Sequence, residues 1–326
     1  PIVFSIVIDV RGGELEDLDS DPYYVFQKIR KDYDLMENRK EVSFTCNEET
    51  LMGYLYEVNS PQGIIICAHG VNSLADGNFA QFENYYLSHN WSIFAIDMTG
   101  CGKSSGKGMK TLHESKYCVQ SAIDKVKTIT DLPIFLIGHS WGGYGVIAGS
   151  DCKDIKAVAA FSSYNIPGEM TYASAINYVS PLLALTKPSL DLSLHVYYGN
   201  EEYVSCSSIV RNNKDTQYII IHGENDDVVP FYKYSTYDAI KDLNLDNVSS
   251  ISLENIGHIG PWRSVEAHRY FDEEVMINYD KLLRKYDNDI PDAVYQSFIS
   301  TIDKDKTSEL NIALLEKLED IFLHAI

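Results

Sequence analysis

Basic residues are scarce in this chain of 326 residues: 27 Lys and Arg stand against 47 Asp and Glu, a formal net charge of −20. Binding to nucleic-acid phosphate needs clustered Lys and Arg, which this sequence does not offer. An anionic membrane surface or a polyanionic substrate is disfavoured on the same ground, so neutral or cationic small molecules remain as ligands. Long apolar runs are missing too; "PIVFSIVI" at the start is far shorter than the roughly 20 residues of a membrane-spanning helix. The chain begins with Pro instead of Met, so a trimmed signal or membrane anchor upstream stays open as an expectation. Cysteines are few and unpaired in pattern: positions 46, 67, 101, 118, 152 and 206 match no C-x-x-C or zinc spacing, and Cys67 lies inside an apolar strand-like run. Free buried thiols and a cytoplasmic location are expected, with a membrane-anchored or exported form, lacking its N-terminal segment here, as the alternative.

Two ligand loops are also lacking. "FAIDMTGCGKSSGKG" follows a strand and carries Gly100, Gly102 and Gly106, but a phosphate-binding P-loop needs Gly where Asp97 stands, and the dinucleotide fingerprint needs Gly where Ser105 stands. A tight structural loop forming one wall of a pocket is the better reading. "DKDKTSELN" lacks the Gly that a calcium loop requires and reads as a helix start. The reading that follows needs no metal and no organic cofactor.

Strands and helices alternate along the chain. Asp21 as N-cap and Pro22 at the first helical position predict a helix to about Asn38. "EVSFTC" and "ETLMGYLYEV" flank Asn47 and Glu48 and predict an antiparallel pair. "GIIICAHG", "WSIFAIDMTG", "LPIFLIGH", "IKAVAAFSS", "TQYIIIHG" and "VSSISLENIGH" read as further strands, with helices over "NFAQFENYYLSHN", near 111–130 and over "FYKYSTYDAIKDLN". This pattern predicts an α/β fold with a mostly parallel, doubly wound sheet, whose chemistry gathers beyond the carboxyl ends of the strands.

Four strand ends carry notable residues. Gly138-His139-Ser140-Trp141-Gly142 fits G-x-S-x-G, in which small residues flank a sharp strand-to-helix turn that exposes a serine. His69 and Gly70 close an earlier strand, and the amides of Val71 and Trp141 are placed to form an oxyanion hole. Glu224, Asp226 and Asp227 cluster after "YIIIHG", where an acid could orient a histidine. His258, between Gly257 and Gly260, comes last in the order Ser, acid, His, and His139 and His222 read as structural.

Residues 63 to 258 resemble the α/β-hydrolase superfamily through five motifs in the family's order: "AHG", "DMTGCGKSSG", "GHSWGG", "HGENDDVVP" and "IGH". The resemblance implies Ser140 as nucleophile, Asp226 as acid and His258 as base. Asp226 is preferred over Asp227 because the family's acid stands three residues after the Gly of the "HG" pair and four before the Pro. The chain is most similar to bacterial esterases and to lysophospholipase-like or serine aminopeptidase-like hydrolases; "HGVN" in place of HGGG sets it apart from one lipase and esterase group. The expected activity is hydrolysis of carboxylic esters of small to medium apolar or aromatic acids through an acyl-enzyme. Amide or peptide hydrolysis, a lyase and a ligand-binding member of the fold are the alternatives.

About fifty residues between the fourth and fifth parallel strands exceed what a plain crossover needs and suggest an inserted helical cap over 165–215. Apolar and aromatic side chains there, among them Met170, Tyr172, Tyr178, Leu182, Leu183, Tyr197, Tyr198 and Tyr203, suggest an apolar or aromatic acyl pocket. His69, Gly70, Tyr164, Met170 and Tyr172 are the expected substrate-binding residues. The rest divides into an N-terminal extension and helix over 1–39, a hydrolase core over 40–164 and 216–290, and a C-terminal helical extension over 291–326. Leu314, Leu315, Leu318, Ile321 and Phe322 share one face of the last helix, expected to pack on the core, with a homodimer contact as the alternative.

Overall fold

Alternate residues of the central strands enter two different apolar clusters, so both faces of the sheet are buried. Ile64, Ile66 and Ala68 join one cluster with Leu136, Val158 and Ile220, whereas Ile65 and Cys67 join the other with Phe135, Ile137, Ala159 and Ile221. That is why these stretches read as continuous apolar runs without alternation. The structure, a computed structural model, describes residues 22–326 apart from 72, 76, 78, 107, 152–153 and 179–185, and describes only the backbone of 22, 23, 177 and 178.

The strands are β1 (Lys40–Cys46), β2 (Glu49–Tyr56), β3 (Ile64–Ala68), β4 (Ser92–Asp97), β5 (Ile134–His139), β6 (Ile155–Phe161), β7 (Gln217–Gly223) and β8 (Val248–Leu253). They form one 8-stranded sheet in the order β1-β2-β4-β3-β5-β6-β7-β8. β1 pairs with β2 and β2 with β4 antiparallel; all the other pairings are parallel. The strand order reverses around β3, which puts the loops after β3 and β5 side by side at the switch point.

Outside the sheet, several helices are shorter than their sequence pattern. The helix expected to run to Asn38 covers only Pro22–Val25; beyond it the Ile29 amide donates to the Asp32 carboxylate (2.8 Å), which starts separate single turns at Arg30–Asp32 and Asp34–Met36. The expected cap residue Asp21 lies outside the described residues. "FYKYSTYDAIKDLN" is helical only over Thr236–Ile240, because Ser235 caps it by accepting from the Asp238 amide and so starts the helix late.

Between β6 and β7 lie the helices Pro167–Tyr178, Lys187–Tyr198 and Cys206–Asn212. A buried pair ties this insertion to the core: Glu202 meets His113 Nδ1 at 2.9 Å, and the Tyr144 hydroxyl donates to the Val204 carbonyl at 3.2 Å. Leu182 and Leu183 lie outside the described residues, as does the side chain of Tyr178.

The last helix, Ile312–His324, buries Leu314, Leu315, Leu318 and Phe322 against the sheet, and Glu319 accepts from Trp91 Nε1 (2.9 Å) and contacts His89 Nδ1 (2.7 Å). The two ends of the described chain also meet each other. Phe26 packs edge-on against Tyr279 and Phe298, and Thr307 donates its hydroxyl to the Phe26 carbonyl at 2.7 Å. No helix among the described residues is long and apolar enough to cross a membrane.

Candidate active site

β5 ends in a turn that only its glycines permit. Ser140 takes φ 55° and ψ −112°, a left-handed conformation that side chains rarely adopt. Its amide donates to the Phe161 carbonyl at the end of β6 (2.8 Å), and its carbonyl accepts from Tyr144, the first turn of the helix Trp141–Gly149. A Cβ on Gly138 would lie 2.3 Å from the Gly142 carbonyl oxygen, and one on Gly142 only 2.0 Å from the Ala68 carbonyl oxygen. The two glycines therefore let the turn close on itself and on the end of β3.

That second contact brings the loop after β3 to the serine. A Cβ on Gly70 would come within 3.3 Å of Ser140 Cβ, so Gly70 borders the turn whose next residue is Trp141. The Trp141 indole is buried and donates to the Leu112 carbonyl at 3.0 Å, which anchors the start of the helix.

The loop after β7 supplies one acid. Asp226 is buried while Glu224 and Asp227 are exposed. Asp226 Oδ1 accepts from the amides of Val228 (3.0 Å) and Val229 (2.8 Å), and Oδ2 meets His258 Nδ1 at 2.8 Å. Burial pushes this carboxyl up, but hydrogen bonds from His222 and His258 outweigh it and hold it well below the usual carboxylate range. A carboxylate only accepts, so His258 carries its hydrogen on Nδ1 and keeps the Nε2 lone pair.

His139 links the serine turn to the histidine loop. Its Nε2–H donates to the His258 carbonyl (2.8 Å), and the two rings lie 4.8 Å apart. Burial, reinforced by the neighbouring His258, pushes His139 down to about 3, so this ring serves as a neutral strut. A third anchor is Arg263, a buried guanidinium that donates to the carbonyls of Ile259 and Thr307 (both 3.2 Å) and so ties the His258 loop to the C-terminal extension.

Three residues expected to touch substrate, His69, Tyr164 and Met170, are buried among the chain's own groups. The His69 ring is fully buried between its own Gly70 carbonyl (2.6 Å) and the Met98 amide (3.0 Å), so both nitrogens hold the loop. Tyr164 is buried, stacks on Tyr144 at 5.1 Å and donates its hydroxyl to the Leu112 carbonyl (2.8 Å). Met170 is buried in the apolar cluster that contains Trp141, Tyr144 and Tyr164. Tyr172 is half-buried in the insertion, its ring 5.2 Å from the Lys187 ammonium, and Gly70 stays at the serine turn.

Sequence reasoning read His139 and His222 as structural without their partners and did not single out Arg263. The spacing of His222 four residues before Asp226, across a loop that must double back, is the one signal that could have flagged a contact.

The glycine loop after β4 is a scaffold. The Asp97 carboxylate accepts from the Tyr54 hydroxyl (2.8 Å) and the amides of Ala75 (2.9 Å) and Lys103 (3.1 Å).

Comparison with known proteins agrees with this architecture. The family described as "Serine aminopeptidase, S33" matches residues 59–219, just under half of the chain. An esterase, FrsA, of Vibrio cholerae is 25% identical over 134 residues, covering 38% of this chain and 31% of its own length. A mouse monoglyceride lipase is 28% identical over 141 residues, 42% of this chain and 40% of its own length. The chain thus matches about a third of the length of the first relative and two fifths of the second. Among solved structures, an esterase of Pyrococcus furiosus superposes with a TM-score of 0.54 at 20% identity, covering 77% of this chain and 94% of that one. The chain has the α/β-hydrolase fold, and its sequence is similar to hydrolases of that superfamily.

Proposed function

We propose that the chain is a serine hydrolase that cleaves carboxylic esters of small to medium apolar or aromatic acids through an acyl-enzyme. The observation that carries this reading is the contact of the one buried acid after β7 with His258 Nδ1 at 2.8 Å, beside a serine on a left-handed turn. His258 Nε2 takes the proton of Ser140 as its hydroxyl attacks the ester carbonyl, and Asp226 stabilises the imidazolium. The amides of Val71 and Trp141 receive the oxyanion, the alcohol leaves with the proton from His258, and water then releases the acid by the same steps. The esterase and lipase relatives support an ester substrate.

Treatment with a fluorophosphonate probe is expected to label the wild type and leave Ser140→Ala unlabelled, and p-nitrophenyl esters of increasing length should show a preferred chain. A folded wild type that neither labels nor turns over any of these esters would overturn the proposal. The serine aminopeptidase description of the matching family favours amide or peptide cleavage as a second reading. Turnover of amino-acid p-nitroanilides faster than of the matched esters would select it.

A further inference from the structure

We infer that His222 is a positioning residue for the triad acid: its Nε2–H shares Asp226 Oδ2 with His258 and sets how strongly that carboxylate binds the proton-accepting ring. The inference rests on the triad reading of Ser140, Asp226 and His258.

His222 leaves the end of β7 and is fully buried. Its Nε2 lies 2.9 Å from the Val229 carbonyl and 3.2 Å from Asp226 Oδ2. A carbonyl accepts only, so Nε2 must carry the hydrogen and can share it with the carboxylate. His222 Nδ1 has no partner among the described residues, so no bond turns the ring the other way. Phe231 packs against the ring at 5.9 Å.

The carboxylate is thereby held from four sides. Val228 and Val229 fix Oδ1, and His222 and His258 converge on Oδ2. A carboxylate that must stay charged while a neighbouring imidazole gains and loses a proton needs fixed donors, because in a dry site no water can reorganise around it. Each donor also withdraws basicity from Asp226. With His222 in place, Oδ2 is a weaker partner for the imidazolium than it would be alone. The titratable groups around His222 are Asp226 on its own loop, His258 from the loop after β8 and His139 from the end of β5.

Two variants of similar polarity separate this role from simple packing. In His222→Gln the side-chain amide reaches the position of Nε2 and can still donate to Oδ2, whereas in His222→Asn it reaches only the position of Nδ1. The experiment follows fluorophosphonate labelling, kcat, KM and the pH profile of kcat/KM on a p-nitrophenyl ester, with thermal melts to show that each variant is folded. Expected are near-normal kinetics for Gln. For Asn, kcat should fall about tenfold at unchanged KM, with the acid limb of the profile moved up by about half a unit. A folded Asn variant with the wild-type acid limb, or a Gln variant impaired as much as Asn, would overturn the inference while leaving the triad intact. A wild type that does not label takes the triad reading down first, and this inference with it.

Discussion

Two aspartates at the carboxyl ends of β4 and β7 in the same sheet are buried and surrounded by donors, yet those donors differ in kind. Asp97, after β4, receives a phenol hydroxyl and two amides, all of which hold their hydrogens permanently. Asp226, after β7, receives two amides and two imidazoles, and an imidazole can pass a proton elsewhere. A buried, fully bonded carboxylate is therefore no sign of chemistry in itself. What sets the Asp226 site apart is that two of its donors are imidazoles, which can pass a proton on.

The comparison breaks most visibly by substitution. Asp226→Asn should lower kcat by about 10⁴-fold in ester turnover, because the amide can no longer hold His258 in the required tautomer. Asp97→Asn should instead act on the fold: its amide hydrogens would face the Tyr54 hydroxyl and a backbone amide, at a cost of about 3 kcal/mol in urea unfolding. Activity in the Asp97 variant should stay within about threefold when assayed below its melting temperature. Equal losses of kcat in the two variants would erase the distinction drawn here.

pH sharpens it next. His139 and His268 are pushed down by burial, to about 3 and about 4, from an ordinary value of 6.5. Between those values the unfolded chain binds protons that the folded chain refuses, so stability falls as pH drops below about 6.5, by up to about 1.4 kcal/mol per pH unit for each ring. Asp226 has the same sign over a lower range: its folded value is depressed too, so its contribution is fully present above the ordinary carboxylate value of 3.8 and is lost only as pH falls below it. Urea unfolding at pH 7.5, 6 and 5 should show the histidine slope, and His268→Gln should flatten it; a stability that does not change across this range would rule the assignment out. The smallest effect is expected at Tyr164, where Phe removes one hydrogen bond to Leu112 for about 1 kcal/mol and leaves ester chain-length preference unchanged. A changed preference would return Tyr164 to the substrate pocket.

Much of the site was legible because it is written in short-range chemistry. A serine flanked by glycines two residues away can make only a few backbone turns, and Gly138 and Gly142 meet backbone atoms at distances no Cβ could tolerate. The order of serine, acid and histidine at successive strand ends needed no more than the strand pattern. The choice of Asp226 over Asp227 needed the resemblance, and the reason for it is visible only in three dimensions: one side chain turns inward to two amides, the other outward to solvent. Composition cannot tell which face of a segment meets the core, so the burial of residues expected in a substrate pocket was not legible in advance. Tyr164 and Met170 lie on the face that packs against Trp141 and Tyr144.

By itself, the sequence determined the alternating layers and the strained turn at Ser140, since each depends on residues near one another in the chain. Only the tertiary structure decided that His139, His222 and Arg263 serve the histidine and acid loops. Hydrogen bonds act over about 3 Å and in one direction. Which donor reaches which acceptor is therefore set by how β5, β7, β8 and the C-terminal extension converge, a relation between residues as far apart as Arg263 and Thr307 that no local pattern encodes.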